Sequence, residues 1–179
     1  MLESLIKELR QLPSDAKWVD SKSLHLTVQF LGNVPEIHVP VIVNALNRSV
    51  ACVAPFKLNL NGIGVFPSIE RPRVLWMGMS GETAMLSRLH HQVQKELGHL
   101  GFEPEKRRYS PHLTLARVRS PLGFSAVMER AEKLAGKYSI LGLINIASIE
   151  LMLSELSPRG PKYFVLARIP LIGPALVPK

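Results

Sequence analysis

The 179-residue sequence predicts an α+β fold, because segments that alternate with a period of two are interspersed with segments of helical periodicity. Two neighbouring pairs of strand patterns indicate hairpins, Phe56–Phe66 with Arg73–Met79 and Ala147–Leu153 with Tyr163–Ile169. A short motif also occurs twice, about half a chain apart. The sequence therefore predicts a single domain, residues 1–179, built from two interleaved lobes that face each other across a cleft.

The remaining elements follow from apolar spacing and from the residues that end helices and strands. Leu24–Leu31 alternates most regularly. Its polar residues His25, Thr27 and Gln29 should share one face of a strand. Its apolar residues, the last of them Phe30, should share the other. The other predicted elements are a helix over Leu2–Leu12 ending at Pro13, a short strand over Lys17–Asp20, a helix from Pro35 or Pro40 to Asn47, a helix over Glu82–Leu100, a strand over Leu113–Val118 and a helix over Phe124–Ala135.

The composition is that of an ordinary globular protein. Apolar residues make up 46% and charged residues 20% of the sequence, which argues against disorder. No apolar run reaches the roughly 20 residues that cross a bilayer. The first residues, MLESLIKELRQL, lack the apolar core of a signal peptide. The single cysteine, Cys52, excludes an internal disulfide and a thiolate metal cluster. We therefore expect a cytoplasmic protein without a membrane partner.

The charge balance indicates a polyanionic partner. The sequence has 22 Lys and Arg against 14 Asp and Glu, a formal net charge of +8. A basic surface attracts nucleic acid, although many basic proteins bind none. Charge alone therefore does not decide the function, and a motif is needed.

The repeated motif is the strongest functional signal. SLHLTVQF (23–30) and SPHLTLAR (110–117) align without a gap and share Ser, His, Leu and Thr. In a strand, residues i and i+2 share a face, so His25 projects with Thr27 and the intervening leucine faces the core. His112 and Thr114 project together in the same way. A single His-x-Thr strand is usually a half-exposed segment without function, but two matched copies are hard to attribute to chance.

Two imidazoles and two hydroxyls in one cleft suit phosphodiester chemistry. In-line displacement at phosphorus needs a base that takes a proton from the nucleophile and an acid that protonates the leaving oxygen. Histidine serves either role near neutral pH, since its ordinary pKa is about 6.5. Threonine hydroxyls can donate to the non-bridging phosphate oxygens. This chemistry requires no metal and no other cofactor.

The motifs resemble those of the two-histidine (2H) phosphoesterases, in particular the bacterial and archaeal RNA 2′,3′-cyclic phosphodiesterases, first named 2′-5′ RNA ligases. The similarity is carried by HLTVQFLG and PHLTLARVR. It extends to KWVDSKSLHLTVQFLGNV, NGIGVFPSIERPRVLWMG, KRRYSPHLTLARVRSP and ELSPRGPKYFVLARIPL. The resemblance thus covers most of residues 16–170. Family members usually begin with a short apolar strand before the first helix, whereas this sequence opens with what resembles that helix, so a sheet edge would be exposed.

The resemblance implies two pseudo-symmetric lobes whose antiparallel sheets flank a central cleft, with the helices outside. It implies metal-free opening of a 2′,3′-cyclic phosphate at an RNA end to a 2′-phosphomonoester. His25 would be the proton donor and His112 the proton acceptor, although the symmetric motifs leave these roles open to exchange. Thr27 and Thr114 would bind the phosphate. The expected enzyme is a cofactor-free monomer whose partner is RNA with a cyclic phosphate end, tRNA fragments included. Any 2′-5′ ligation would be the reverse reaction, without ATP.

Three further residues are candidates for substrate binding. Arg117 falls where the family often has an arginine after its second motif. It lies five residues beyond His112, so strand parity turns it away from the imidazole unless a bulge intervenes. Arg108 and Tyr109 follow Lys106 in a basic segment that could hold an RNA backbone and stack a base.

Other conspicuous residues are given structural roles. Trp18 and Trp76 are predicted to lie in the core or at the lobe interface rather than to stack bases. Arg71 and Arg73 are predicted to lie on a turn at the rim of an electropositive cleft.

Two other hypotheses for the function stay open. One is a non-catalytic RNA- or nucleotide-binding module. The other is a phosphodiesterase for a small cyclic phosphate or a 2′-5′ oligonucleotide. The intact His and Thr of both motifs favour an enzyme over a binding module, because a binding module has no need of two imidazoles in register.

Overall fold

The computed structural model describes residues 2–105, 107–137, 140–157 and 160–174. Helices and antiparallel strand pairs are both present, which confirms the α+β class predicted from the sequence. The helices are α1 (Leu2–Arg10), α2 (Val39–Val50), α3 (Thr83–Gly98) and α4 (Phe124–Lys137). The strands are β1 (Ala16–Trp18), β2 (Phe56–Pro67), β3 (Pro72–Gly81), β4 (Leu113–Val118), β5 (Gly142–Ile146), β6 (Ser148–Ser157) and β7 (Gly160–Pro170).

The chain divides into two compact units, each assembled from three separate segments. The first unit comprises Met1–Thr27, Leu58–Gly81 and Ser110–Ile144, and the second comprises Val28–Lys57, Glu82–Tyr109 and Asn145–Lys179. The histidine and threonine of both motif copies therefore belong to the first unit. The single-domain organisation and the pseudo-symmetry of two lobes stay predictions.

The first unit is built on a five-stranded sheet in the order β1-β4-β3-β2-β5. The pairs β1–β4, β4–β3 and β3–β2 are antiparallel. The hairpin of β2 and β3 was predicted from the sequence, whereas the short edge strand β5 was not. The buried core lies between one face of this sheet and the helices α1 and α4, and its members are Leu5, Ile6, Leu9, Leu60, Leu75, Met77, Leu113, Leu115, Ala116, Val118, Phe124, Val127, Met128, Ala131 and Leu141.

Amphipathic patterning explains how α1 and α4 cover that face. In α1 the buried residues Leu5, Ile6 and Leu9 follow helical spacing and form one apolar stripe. At the surface an ion pair between Glu8 and Arg130 joins the two helices. An exposed pair of this kind adds little stability, so burial of the apolar stripes holds the helices on the sheet.

In the second unit, α2 packs against α3 and against β7, while β6 and β7 form an antiparallel two-stranded sheet. Buried residues of both helices, among them Ile42, Leu46, Leu86 and Leu89, provide its core. Both strands run further than predicted, into the segment SELSPRGPK, whose residues 158 and 159 lie outside the described part of the chain. Among the described residues, no helix is long and apolar enough to cross a membrane.

The strand predicted over Leu24–Leu31 is wrong. The chain leaves the edge of β4 after the bond from Val19 N to Leu115 O and forms a 3-10 turn over Ser21–Ser23. The side chain of Asp20 caps this turn by accepting a hydrogen bond from a backbone N–H. Leu26 alone then returns to β4, through one isolated bridge. Phe30 does not point inward with the leucines, because its side chain is 81% exposed.

Candidate active site

The structure brings both copies of the motif side by side. Leu26 forms an antiparallel bridge with Leu113, and both leucines contribute to the core of the first unit. Because successive side chains of an extended segment point to opposite sides, the histidine and threonine flanking each leucine project from the sheet face turned away from α1 and α4. We call this side of the sheet the motif face.

The register of the bridge sets the spacing of the four side chains. With Leu26 opposite Leu113, the histidine of each copy lies opposite the threonine of the other. The two histidines are therefore diagonal neighbours, and standard sheet geometry gives about 7–8 Å between the Cα atoms of such residues. Two imidazoles that project from such positions can lie on either side of one phosphate and each reach one of its oxygens.

Both imidazoles are held by the same hydrogen bond. His25 Nδ1 lies 2.8 Å from Ser23 O, and His112 Nδ1 lies 2.7 Å from Ser110 O. A carbonyl oxygen only accepts, so Nδ1 is the donor and carries a hydrogen in both rings. The proton that each ring gains or loses is then on Nε2, which accepts a proton when the ring is neutral and donates one when it is charged.

The two histidines differ in their surroundings. His112 is half-buried and His25 is exposed. The ring of Phe66 meets His112 edge-on, with the centroids 5.1 Å apart and the planes at 80°. Trp76 lies 6.4 Å from His112 and stacks on Phe66 at 5.0 Å. Two aromatic rings thus fix the position of the second imidazole.

Sheet register explains why Trp76 reaches His112. Trp76 pairs with Thr114 on one side and with Gly64 on the other. A Cβ on Gly64 would collide with Cζ2 of the indole, so only glycine leaves room for the ring there. Trp76 is not part of the core of the first unit, so that half of its prediction is wrong, while a place at the lobe interface stays a prediction. Its buried Nε1 has no hydrogen-bond partner among the described residues. Trp18, in contrast, packs against the core, as predicted.

A β-bulge turns Arg117 toward the motif face. Leu115 and Ala116 are consecutive and both fully buried, and the register of β3 against β4 shifts at this point. The extra residue restores the outward position of Arg117, which is exposed and pairs with Lys17 on β1 and Val74 on β3. This bulge is the condition under which strand parity allows Arg117 near the imidazoles.

Arg108 and Tyr109 belong to the second unit. Tyr109 stacks on His90 of α3, with centroids 3.9 Å apart and planes at 6°. Burial raises the pKa of Tyr109 to about 12, and burial followed by the nearby charge of His91 lowers the pKa of His90. Arg108 is exposed, and Lys106 lies outside the described residues. The substrate-binding roles of Arg108 and Tyr109 stay predictions.

Sequence reasoning missed Phe66 and Gly64. Both lie in NGIGVFP, and nothing in that string points to His112. Only the pairing of β2 with β3 and of β3 with β4 reveals their position, and this register is not visible in one sequence. Among the described residues, no three His, Cys, Asp or Glu side chains are grouped closely enough to hold a metal ion.

Two His-x-Thr pairs that one antiparallel bridge brings together, with matched histidine hydrogen bonds, point to the class of two-histidine phosphoesterases. The family model described as the 2′-5′ RNA ligase superfamily matches residues 1–143. The chain belongs to the 2′-5′ RNA ligase superfamily, which confirms the resemblance found in the sequence.

Named relatives and solved structures agree with this membership. The RNA 2′,3′-cyclic phosphodiesterase of Aeropyrum pernix is 33% identical over 154 residues, 86% of this chain and 85% of the relative. That of Aquifex aeolicus is 31% identical over 171 residues, 94% of this chain and 88% of the relative. The crystal structure of the Thermus thermophilus protein TT0787 matches with a TM-score of 0.75 at 27% identity, over 96% of this chain and 91% of that one.

Proposed function

We propose that the protein opens the 2′,3′-cyclic phosphate at the end of an RNA and leaves a 2′-phosphomonoester. The bridge between Leu26 and Leu113 carries this proposal, because it supports the placement of both His-x-Thr pairs around one phosphate. The names of the Aeropyrum and Aquifex relatives support the substrate class.

The proposed reaction is an in-line displacement with one acid and one base. His112 Nε2 takes a proton from water as the water oxygen bonds to phosphorus. The bond from phosphorus to the 3′ oxygen breaks, and His25 Nε2 protonates that oxygen. The phosphate remains on the 2′ oxygen and a 3′-hydroxyl is formed. The hydrogen bonds from Nδ1 to the carbonyls of Ser23 and Ser110 support this use of Nε2 in both rings.

Charge on the phosphate is balanced by side chains of the motif face. The hydroxyls of Thr27 and Thr114 would donate to the non-bridging oxygens, where negative charge grows in the transition state. Arg117 supplies a full positive charge on the same face. These groups replace the charge that a metal supplies in other phosphodiesterases, so the proposed mechanism is independent of metal.

Ligation follows from the same geometry with a different nucleophile. If the 5′-hydroxyl of a second RNA takes the place of water, its oxygen bonds to phosphorus while the bond to the 3′ oxygen breaks. The product is a 2′-5′ phosphodiester, and no ATP is consumed. Location in the cytoplasm, the monomeric state and tRNA fragments as substrates stay predictions.

The decisive experiment is incubation with an RNA ending in a 2′,3′-cyclic phosphate in the presence of EDTA, followed by identification of the product. We expect a 2′-phosphomonoester at an unchanged rate with and without EDTA. A 3′-phosphomonoester would contradict the proposed leaving oxygen. Tight binding without turnover would support the non-catalytic binding module instead.

The acid and base roles can be assigned from the pH dependence of the residual activity in single mutants. The wild-type rate should follow a bell-shaped profile, since one histidine must be neutral and the other charged. If His25 is the acid, His25→Ala removes the fall in rate on the alkaline side. If His112 is the base, His112→Ala removes the fall on the acid side. The opposite pattern would exchange the two roles.

A further inference from the structure

A cluster of arginines lies in the first unit where β2 and β4 end and β3 begins. Arg71, Arg73 and Arg119 line a cavity of about 300 Å³, and all three side chains are exposed. Three prolines and Glu70 complete most of the wall. The sequence predicted Arg71 and Arg73 on a turn at the rim of an electropositive cleft, but it did not join Arg119 to them, because Arg119 is far from both along the chain.

The charge of this arginine pocket favours an anion. Glu70 is the one carboxylate among its lining residues, and a hydrogen bond from the Ser68 side chain holds the pKa of Glu70 below its ordinary value. Three guanidinium groups therefore face one carboxylate, which leaves the pocket positive. Guanidinium groups suit phosphate because their planar N–H groups pair with two oxygens at once. The prolines restrict the backbone that carries them.

Sheet register places the pocket next to the motif face. The last row of paired residues at this end of the motif face runs across four strands and consists of Phe66, Val74, Arg117 and Lys17. The pocket begins with the residues that follow this row. From Thr114 to Arg119 the chain advances by roughly 13 Å, four steps of about 3.3 Å, because the bulge takes up one of the five residues. A short stretch of extended RNA spans that distance.

We propose that the arginine pocket binds a backbone phosphate of the substrate RNA, a few nucleotides to the 5′ side of the cyclic end. This inference rests on the proposed function. A 2′,3′-cyclic phosphate is the 3′ terminus of its strand, so every other phosphate of the substrate lies 5′ of the reacting one. The strand runs from the two histidines past Trp76 and Phe66 to the arginines, and the protein is a better enzyme for oligonucleotides than for a cyclic mononucleotide.

The test is kcat/KM on a series of substrates from a 2′,3′-cyclic mononucleotide to cyclic-ended RNAs of roughly eight nucleotides. For the wild-type protein, kcat/KM should rise with substrate length until the RNA is long enough to reach the arginine pocket. In the Arg119→Ala variant, kcat/KM on the long substrates should be about tenfold lower than in wild type, whereas kcat/KM on the mononucleotide should be unchanged. For the long substrate, the slope of log affinity against log salt concentration should be about one smaller in magnitude for Arg119→Ala than for wild type, as expected for one lost phosphate contact. Glu70→Gln should raise kcat/KM on long substrates only.

The Arg119→Ala variant should fold like the wild-type protein. The backbone N–H of Arg119 bonds to Asp15 O at 2.9 Å, and its carbonyl accepts from Arg73 Nη1 at 3.4 Å, so neither bond uses the Arg119 side chain. Arg130→Ala removes the same charge from α4 and should leave the length dependence intact. Arg119→Lys should keep most of the salt slope.

The outcomes separate this inference from the proposed function. A wild-type enzyme indifferent to length, or an Arg119→Ala variant equally slow on all substrates, overturns the pocket and leaves the activity standing. An enzyme that fails on every cyclic substrate overturns the activity. In that case the affinity for an RNA with a 2′-phosphate end still tests the pocket, because Arg119→Ala must weaken it for long RNA.

Discussion

The two copies of the motif have nearly the same residues and different structures. SPHLTLAR enters β4, which pairs with β1 and β3. SLHLTVQF follows a 3-10 turn and touches the sheet through the single bridge of Leu26. The first string alternates more regularly than the second, yet only the second became a strand, so alternation alone did not decide the outcome. The pairing partners decided it. The second copy lies in β4, which has a strand on each side, whereas the first copy follows the edge strand β1 and has only β4 to pair with.

What the copies do share is confined to the histidine and the residues next to it. Each imidazole donates from Nδ1 to the carbonyl two residues earlier, at 2.8 Å and 2.7 Å. Beyond the threonine the likeness ends, because Leu115 is fully buried in the first unit while its counterpart Val28 is half-buried and belongs to the second. The shared part is the part that the proposed chemistry needs.

The largest expected effect tests whether the histidines contribute equally despite these different surroundings. His25→Ala and His112→Ala should each lower turnover of a cyclic-ended RNA by roughly 10² or more, the usual cost of a lost acid or base. The double mutant should be little slower than either single mutant, because acid and base act as one unit. Initial rates under saturating substrate provide the measurement.

His99→Ala is the matched control for these variants, since His99 is an exposed histidine at the end of α3. Its rate should equal that of wild type. Near-normal turnover in either motif mutant would show that the corresponding histidine is not part of the reaction and that the two copies are not functional equivalents.

The comparison also shows how much could be predicted from the sequence. The element class was visible for long segments such as β2 and α3, but the regular alternation of Leu24–Leu31 predicted a strand that did not form. The four His and Thr residues were visible because their pattern is repeated. The aromatic contact of Phe66 with His112, the room left by Gly64 and the bulge before Arg117 depend on strand register. Register comes from pairing between distant segments, which one sequence does not display.

A smaller effect should appear in stability at matched positions of the two copies. Leu115→Ala should cost about 2–5 kcal/mol, because a fully buried leucine leaves a cavity. Val28→Ala removes less buried surface and should cost on the order of 1 kcal/mol. Denaturant unfolding measures both. Equal losses would mean that the second half of the first copy is packed as tightly as β4.

The threonines should have smaller and equal effects on activity. Thr27→Val and Thr114→Val each remove one hydroxyl that would donate to the phosphate, a bond worth about 0.5–1.5 kcal/mol, so kcat/KM should fall by roughly two- to tenfold. Thr27→Ser and Thr114→Ser keep the hydroxyl and should stay near wild type. A loss confined to Thr114→Val would place the phosphate closer to the second copy than the symmetric motif predicts.

The smallest expected effect is at Phe30, the counterpart of Arg117 in the aligned copies. Had the first copy formed a regular strand, Phe30 would point inward with the leucines, and replacing it would cost about 3–5 kcal/mol. Its side chain is instead 81% exposed, so Phe30→Ser should change the free energy of unfolding by less than about 0.5 kcal/mol. Phe124→Ala is the matched control, since Phe124 is 2% exposed in the core of the first unit and should show the full loss. Denaturant midpoints of both variants suffice, and a loss above about 2 kcal/mol at Phe30 would restore the strand that the alternating pattern predicted.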